Sequence, residues 1–301
     1  QLSNGYLDSV IDWVPGINGG VPLKDFPFIN TVDPDDILLN FVIDEVESIP
    51  GAKGLILNTF ADLERQVLDA LLEMMPPPIY TVGPLNLYRL PDDSPVRGIE
   101  SSLWKEENDC VEWLDGRATG SVVYVNFGSN ATVTAEQLAE FAWGLAGSGC
   151  PFLWAIRPDI VFGDSPSLPP EFLLAVEDVG MLTSWAPQEK VLGHRAVGVF
   201  LTHSGWNSTL ESITNGVPVI CWPFFAEQRL NCRFSCGEWG IGVEIGDDVR
   251  RGEVEAAVRE AMGGGQKGKS MAEKATEWRN AAVAAVSPDG GDSYADFNRM
   301  I

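Results

Sequence analysis

The chain has 301 residues, of which 45% are hydrophobic and 21% charged, a balance typical of a globular protein with room for two α/β domains. Its 43 acidic residues outnumber 20 basic ones, which gives a formal net charge of −23. Because nucleic acids and anionic membranes bind basic surfaces, this charge excludes both as the main partner. Local groups must therefore hold any polyanionic ligand.

No integral membrane segment or targeting signal is expected from the sequence. No apolar run approaches the roughly 20 residues that cross a bilayer, and the chain opens with Gln1 on a polar stretch, which suggests a fragment. Five scattered cysteines without a CxxC pair predict no disulfide framework and favour a reducing cytoplasm. Cys232 and Cys236 stand one helical turn apart, but without a second pair or a nearby histidine we interpret them as small apolar helix residues and expect no metal site.

The first part of the chain follows a β–α–β pattern. A loop-rich segment extends to about residue 28, and a helix is predicted at 34–48 with Asp33 as its N-cap. A strand at 54–58, a helix at 61–72 and a strand at 79–82 then predict two parallel strands joined by a crossover helix. The stretch 86–104 contains two prolines and no periodicity, so it is the predicted linker between domains.

The rest of the chain alternates between apolar runs and amphipathic segments, which predicts a second parallel sheet. The predicted strands are 121–127, 152–156, 180–184, 197–202 and 217–222. The predicted helices are 105–114, 135–147, 207–214, 228–238, 251–262 and 269–285.

One strand-to-helix turn carries groups suited to an anion. Open α/β sheets bind ligands at the carboxyl ends of strands, and the turn after strand 197–202 is such a place. Ser204 and Gly205 are small enough to let a ligand approach the backbone, while Asn207 and Ser208 supply donors at a helix N-terminus, which suits a diphosphate. A strand-end histidine is usually structural, but beside this turn His203 is predicted to donate to a phosphate oxygen.

Residues suited to bind a nucleobase and a ribose lie on either side of that turn. Glu211 projects from the same helix face as Asn207, where a carboxylate suits two vicinal hydroxyls, although a solvated helix charge is the alternative. Trp185 precedes a rigid turn, Ala186 to Gln188, that can place the indole against a flat base. Backbone groups or Gln188 would then read the edge of the base, although a strand-end aromatic is more often part of the core.

A carboxylate and an amide stand side by side after strand 217–222. Glu227 and Gln228 can hydrogen-bond neighbouring hydroxyls of a sugar, an arrangement that discriminates strongly between ligands. The DxD-like string at 33–35 is the other possible nucleotide motif, but it lies far from the turn and is interpreted as a helix start.

The stretch 185–228 resembles the signature box of plant family 1 UDP-glycosyltransferases. The strings NTFADLE, VGPL, VVYVNFGS and FLWAIRPD resemble other segments of that family, and NGYLDSVIDWVPG and SLWKEENDCVEWLD resemble the subgroup that glucosylates terpenoid aglycones and cyanohydrins. The resemblance implies an α/β protein with two Rossmann-like domains of the GT-B type, the N-terminal one incomplete. Residues 1–85 would be the end of an acceptor-binding domain, 86–104 a linker, 105–286 the UDP-sugar donor domain and 287–301 a C-terminal tail.

The resemblance also implies a role for each site residue. Trp185 would stack on uracil, Ala186 and Gln188 would contact the base and ribose region, and Glu211 would bind the ribose hydroxyls. The residues expected around the diphosphate are His203, Trp206, Asn207, Ser208 and Ser129. Glu227 and Gln228 would hold the sugar, and the terminal glutamine of the box indicates glucose.

The activity implied is an inverting transfer of glucose from UDP-glucose to a hydroxyl of a small plant metabolite, without a metal or a further cofactor. The family's base is an N-terminal histidine oriented by an aspartate, whereas the two histidines here, His194 and His203, lie in the signature box. These residues are therefore expected to bind the donor without efficient transfer. A non-catalytic nucleotide-sugar-binding protein is an alternative that stays open. A nicotinamide-dependent oxidoreductase is disfavoured, because no GxGxxG motif follows a predicted strand with an acidic residue about 20 residues further along the chain.

Overall fold

The computed structural model describes residues 5–27, 35–88, 102–162 and 168–301. The chain divides into two compact units. The first comprises Gln1–Arg89, Phe225–Leu230 and Asn280–Ile301, and the second comprises Leu90–Phe224 and Asn231–Arg279. The predicted N-cap Asp33, most of the 33–35 string and residues 89–101 of the predicted linker lie outside the described residues.

The described residues form short strands and longer helices. The strands are β1 (Val10–Ile11), β2 (Val21–Pro22), β3 (Leu55–Leu57), β4 (Ile79–Thr81), β5 (Val122–Asn126), β6 (Phe152–Ala155), β7 (Gly180–Thr183), β8 (Val197–Thr202), β9 (Val219–Cys221) and β10 (Gly242–Glu244). The helices are α1 (Ile37–Ser48), α2 (Ala61–Met74), α3 (Asp109–Asp115), α4 (Ala135–Ser148), α5 (Pro170–Ala175), α6 (Gln188–Leu192), α7 (Trp206–Asn215), α8 (Gln228–Cys236), α9 (Arg251–Met262), α10 (Gln266–Ala285) and α11 (Asp292–Met300).

The first unit contains the predicted β–α–β element, because β3 and β4 pair in parallel and α2 connects them. Helix α1 begins later than the sequence predicts: the Asp36 carboxylate accepts the Leu39 N–H at 2.9 Å, so the N-cap is Asp36 rather than Asp33. Residues 287–301, expected as a tail, contain α11. The Asp296 carboxylate on this helix accepts both the N–H and the hydroxyl of Thr81 at the end of β4, at 2.9 and 3.2 Å.

The second unit is built on a six-stranded sheet with the order β10-β9-β8-β5-β6-β7, in which every pair is parallel. The chain runs outward from β5 through β6 to β7, and then returns to the other side of β5 and runs outward from β8 to β10. The strand order therefore reverses between β5 and β8. This is the topological switch point at which open α/β sheets bind their ligands.

Aromatic and branched side chains fill the space between this sheet and its helices. The rings of Phe127 and Phe141 lie 4.9 Å apart between centroids, and Phe141 and Trp222 lie 4.7 Å apart. Helix α4 begins with a capping box between Thr134 and Gln137, and its Gly144 allows α9 to approach so closely that a Cβ there would lie 2.5 Å from Val254 Cβ. The core thereby fixes the loops at the carboxyl edge of the sheet.

The sequence predicts the long elements of this unit well and the short ones poorly. Strand β8 and helix α9 have the predicted bounds, whereas α5, α6 and β10 are not predicted at all. Helix α3 begins at Asp109 rather than at residue 105, because the Glu107 N–H donates to the Trp185 carbonyl at 2.9 Å and holds that segment out of the helix. None of the helices in the described ranges is long and apolar enough to cross a bilayer.

Candidate functional site

The predicted site residues of the second unit lie at one edge of the sheet because the parallel strands end in register. Asn126 pairs with Ala155 on one side and with Thr202 on the other; Ala155 in turn pairs with Thr183, and Thr202 with Cys221. The residues that follow this row belong to five loops at the carboxyl edge of the sheet.

The imidazole of His203 is wedged between the loops that follow β5 and β8. A Cβ on Gly128 would lie 2.5 Å from His203 Nε2, and a Cβ on Gly205 would lie at the same distance from that atom. Gly128 also has a φ of 74°, which disfavours any other residue. Glycine is therefore required on both sides of the ring, and the ring fixes the distance between the two loops.

His203 is held in its neutral form. Burial, together with the nearby charge of Arg157, lowers the pKa of His203 to about 4. Its Nδ1 is buried and has no hydrogen-bond partner among the described residues. A neutral imidazole offers one N–H donor but no positive charge, so the attraction for an anion at this turn must come from elsewhere.

The N-terminus of α7 carries groups that are suited to attract an anion. Gly205 is its N-cap residue, and within the described chain no side chain caps this end of the helix. Helix N-terminal N–H groups and the helix dipole favour a negative charge. Asn207 is exposed in the first turn and Ser208 is buried, while Trp206 packs at 6.3 Å between centroids from Trp239.

Backbone strain marks this turn. Ser204 has a φ of 63°, and in the described chain the other non-glycine residue with a positive φ is Ala226, at 53°. The Ser204 hydroxyl is buried without a hydrogen-bond partner among the described residues. Such conformations cost of order 1–3 kcal/mol each and cluster at functional sites.

Gln188 connects α6 to α7 through a saturated amide. Its Oε1 accepts from Tyr124 Oη at 3.1 Å and from Asn126 Nδ2 at 2.8 Å, and its Nε2 donates to Ser208 Oγ at 3.0 Å and to Glu211 Oε2 at 2.6 Å. An amide has two donors and two acceptor lone pairs, so all four are in use. The Gln188 side chain thus positions Ser208 and Glu211, and its amide has no hydrogen-bonding position left over.

The half-buried Glu211 carboxyl can change its charge near neutral pH. Burial raises its pKa to about 7, against the opposing effect of the hydrogen bond from Gln188. Near neutral pH the group is therefore divided between its protonated and ionised forms. A ligand with vicinal hydroxyls that donate to the carboxylate would favour the ionised form.

The segment that leads into Trp185 is held by Glu107, which is not among the predicted site residues. The Glu107 carboxylate accepts from Thr183 Oγ1 at 2.7 Å and from Ser184 Oγ at 2.8 Å, and these bonds lower the pKa of Glu107. The Trp185 indole N–H donates to Ser102 Oγ at 2.7 Å, so the half-buried ring has a defined orientation. Ala186, next in the chain, is buried.

The loop that contains Ser129 is held by a buried arginine. Arg157 donates from Nη1 to the Gly128 carbonyl, from Nη2 to the Ala131 carbonyl at 2.7 Å, and from Nε to Asp159 Oδ1 at 2.9 Å. Its side chain is 2% exposed although it carries a full charge. Ser129 is half-buried on the loop that Arg157 fixes.

Glu227 and Gln228 belong to the first unit, through its segment Phe225–Leu230. The Glu227 side chain is exposed, whereas Gln228 is buried at the start of α8. Gln228 Oε1 accepts the Phe225 N–H at 3.1 Å, and this bond closes the turn in which Glu227 lies.

Comparison with known proteins identifies the family of the chain. The sequence profile described as UDP-glucoronosyl and UDP-glucosyl transferase matches residues 106–271, more than half of the chain. The chain belongs to this family. The predicted family is thereby confirmed.

Relatives in this family are plant glucosyltransferases. The chain is 54% identical to UDP-glycosyltransferase 85A3 of Arabidopsis thaliana, 53% to a 7-deoxyloganetin glucosyltransferase of Gardenia jasminoides and 52% to an (R)-mandelonitrile beta-glucosyltransferase of Prunus dulcis. Each alignment covers 100% of this chain and 62% of the relative, so the chain spans less than two thirds of these proteins.

Solved structures of the family have the same fold. The chain matches a Phytolacca americana glycosyltransferase, UGT2, complexed with UDP-2-fluoro-glucose and pterostilbene, with a TM-score of 0.83 and 37% identity over 99% of this chain and 64% of that one. The glycosyltransferase TcCGT1 in complex with UDP matches with a TM-score of 0.82 and 31% identity over 98% and 65%. The expected α/β fold of the GT-B type is confirmed by these matches.

The second histidine of this family member lies at the opposite edge of the sheet. His194 precedes β8 and its Nε2 is 3.2 Å from Asp115 Oδ1, whereas His203 follows that strand. A strand of this length separates its ends by roughly 20 Å. The His194–Asp115 pair therefore cannot act on a ligand held at the His203 turn.

The Glu211 carboxyl generates a prediction about stability. Because its folded pKa of about 7 exceeds the ordinary value of 4.5, folding favours the protonated form, and the chain loses stability as pH rises from about 5 to about 7. We expect Glu211→Gln to gain in Tm over the unsubstituted chain as pH rises through that window, by about 2–4 °C for each kcal/mol of linkage. Thermal unfolding followed by circular dichroism measures this.

The matched control is Glu273→Gln, because Glu273 is an exposed carboxylate on α10. Its difference in Tm from the unsubstituted chain should not change across the same pH range. A Glu211→Gln difference that is equally flat would contradict the buried, partly protonated carboxyl.

Proposed function

We propose that this chain provides the donor-binding part of an inverting UDP-glucose-dependent glycosyltransferase whose acceptor is a hydroxyl of a small plant metabolite. The observation that carries the proposal is the uncapped N-terminus of α7 beside the wedged imidazole of His203, at the switch point of a parallel sheet. Family membership and the glucosyltransferase relatives support the same reaction.

The diphosphate of the donor would lie at the start of α7. The N–H groups of Asn207 and Ser208 would donate to its oxygens, together with His203 and, from the β5 loop, Ser129. Since His203 is neutral, the helix dipole rather than an imidazolium would offset most of the ligand's charge. Trp206 would close one side of the same space.

The nucleoside would lie between α6 and α7. Trp185 would stack on the uracil, and the backbone of Ala186 and Gln188 would read its edge, because the Gln188 side chain is fully used in positioning Glu211. The Glu211 carboxylate would then accept hydrogen bonds from the two ribose hydroxyls. Glu227 and Gln228 are proposed as ligands of the glucose hydroxyls, on the strength of the family pattern alone.

The transfer would be a single displacement with inversion. The acceptor oxygen forms a bond to the anomeric carbon while the bond from that carbon to the diphosphate oxygen breaks, and the acceptor proton passes to a base. The negative charge that develops on the leaving diphosphate would be stabilised by the N–H groups at the start of α7, which need no reorganisation during the reaction.

Neither histidine of these residues is placed to serve as that base. His203 lies at the leaving-group side with its pKa lowered to about 4, and His194 lies at the opposite edge of the sheet. We therefore propose that these 301 residues bind UDP-glucose but transfer glucose poorly by themselves. A non-catalytic nucleotide-sugar-binding protein is the second candidate, and an acceptor assay separates the two.

The proposal predicts how UDP binding depends on pH. If Glu211 must ionise to accept the ribose hydroxyls, the ratio of UDP affinities between the unsubstituted chain and Glu211→Gln should rise about tenfold from about pH 6 to about pH 8. Titration calorimetry measures both affinities. Using the ratio removes the titration of the diphosphate itself, which is common to both proteins.

The exposed Glu273→Gln variant should bind UDP as the unsubstituted chain does at every pH. An affinity ratio for Glu211→Gln that stays near one at both pH values would show that Glu211 does not contact the ligand. Tighter binding of NAD than of UDP would instead support an oxidoreductase.

The proposal also predicts the rate of glucose transfer. With UDP-glucose and (R)-mandelonitrile, the chain should bind the donor and release glucoside at least about 100-fold more slowly than full-length family enzymes, since a general base contributes about 10²–10⁴-fold. Product formation is followed by chromatography. His194→Ala should change neither the binding nor the residual rate.

Turnover near the typical enzyme value of about 10 s⁻¹ would refute the lack of a base in these residues. Tight donor binding with no transfer to any hydroxyl, even after addition of a segment that restores the length of the relatives, would favour the non-catalytic alternative.

A further inference from the structure

Three cysteines converge behind the turn that follows β8. Cys221 is the last residue of β9, and Cys232 and Cys236 lie one turn apart on α8. Their Sγ atoms all lie within 4.8 Å of one another, and all three thiols are free. Cys221 and Cys232 are buried, while Cys236 is half-buried.

This spacing is close to that of a metal–thiolate site. Zn–S bonds of about 2.3 Å in a tetrahedral site place their sulfur atoms roughly 3.8 Å apart. The observed separations need to contract by no more than about 1 Å to reach that value, which side-chain rotation can supply.

The surroundings suit a soft cation. In the described part of the chain the group contains neither a carboxylate nor an imidazole, and all-sulfur ligands select thiophilic ions. Gly242 leaves room beside Cys236, since a Cβ there would lie 3.1 Å from Cys236 Sγ.

An oxygen is available for a fourth position. The Ser204 hydroxyl is buried and lies beside the Cys221 thiol. The Ser204 carbonyl accepts from Asn231 Nδ2 at 2.9 Å, which ties this turn to the helix that carries two of the cysteines.

We propose that Cys221, Cys232 and Cys236 bind one thiophilic divalent cation of the Zn²⁺ and Cd²⁺ class through three thiolates, with an oxygen in the fourth position. On binding, each S–H bond breaks, each sulfur donates an electron pair to the metal, and the protons leave to solvent. No change of oxidation state is involved. The bound ion joins β9 to α8 directly beneath the strained Ser204 turn.

The test is a titration of the reduced, metal-free chain with Cd²⁺, followed by the ultraviolet charge-transfer absorption of Cd–S bonds. We expect saturation at one Cd²⁺ per chain, and at least about a tenfold loss of affinity in Cys236→Ser. Cys150→Ser is the matched control, because Cys150 is a half-buried free thiol outside the group, and its titration should be unchanged.

Of two further measurements, the first uses the unsubstituted chain alone and so does not depend on the folding of any variant. The ¹¹³Cd NMR resonance of the unsubstituted chain should fall in the range of sulfur-rich coordination, and saturating Zn²⁺ should raise the Tm of the unsubstituted chain and of Cys150→Ser but not of Cys236→Ser. The proposal is overturned if Cd²⁺ gives no charge-transfer band, if its resonance is that of oxygen ligands, or if Cys150→Ser weakens binding as much as Cys236→Ser does.

Discussion

The packing of one imidazole between two glycines sets the geometry of the site. His203 directly follows the central strand β8, and its ring occupies the space where Gly128 and Gly205 would carry a Cβ. This contact holds the β5 loop and the first turn of α7 at a fixed separation, and Arg157 anchors the β5 loop from behind. The space in front of α7 is thus shaped before any ligand arrives, which lowers the conformational cost of binding.

A second constraint is that both donors and both acceptor positions of the Gln188 amide are engaged in hydrogen bonds. By joining Tyr124 and Asn126 on β5 to Ser208 and Glu211 on α7, the amide keeps a buried carboxyl in place. The arrangement costs stability near neutral pH because Glu211 is partly ionised in a buried place. We propose that this loss of stability is retained because it provides a preorganised acceptor for the hydroxyl groups of a ligand.

How much of this the sequence predicts depends on the range of the interactions. Strand β8 and helix α9 are predicted because their apolar pattern is local. The signature box contains ten of the eleven predicted site residues, and Ser129 is the one outside it.

 Local patterns do not reveal contacts that depend on which strands are neighbours. These contacts are the Gln188 hydrogen bonds, the bonds from Thr183 and Ser184 to Glu107, and the proximity of Cys221 to Cys232 and Cys236.

The most direct test of the account is UDP binding after closure of the space that His203 fills. Gly205→Ala should lower UDP affinity by at least about tenfold, because its Cβ would lie 2.5 Å from His203 Nε2 and displace the ring. Gly252→Ala, whose Cβ meets nothing within 4 Å, should bind UDP as the unsubstituted chain does. Equal affinities in calorimetric titrations of all three folded proteins would contradict the account.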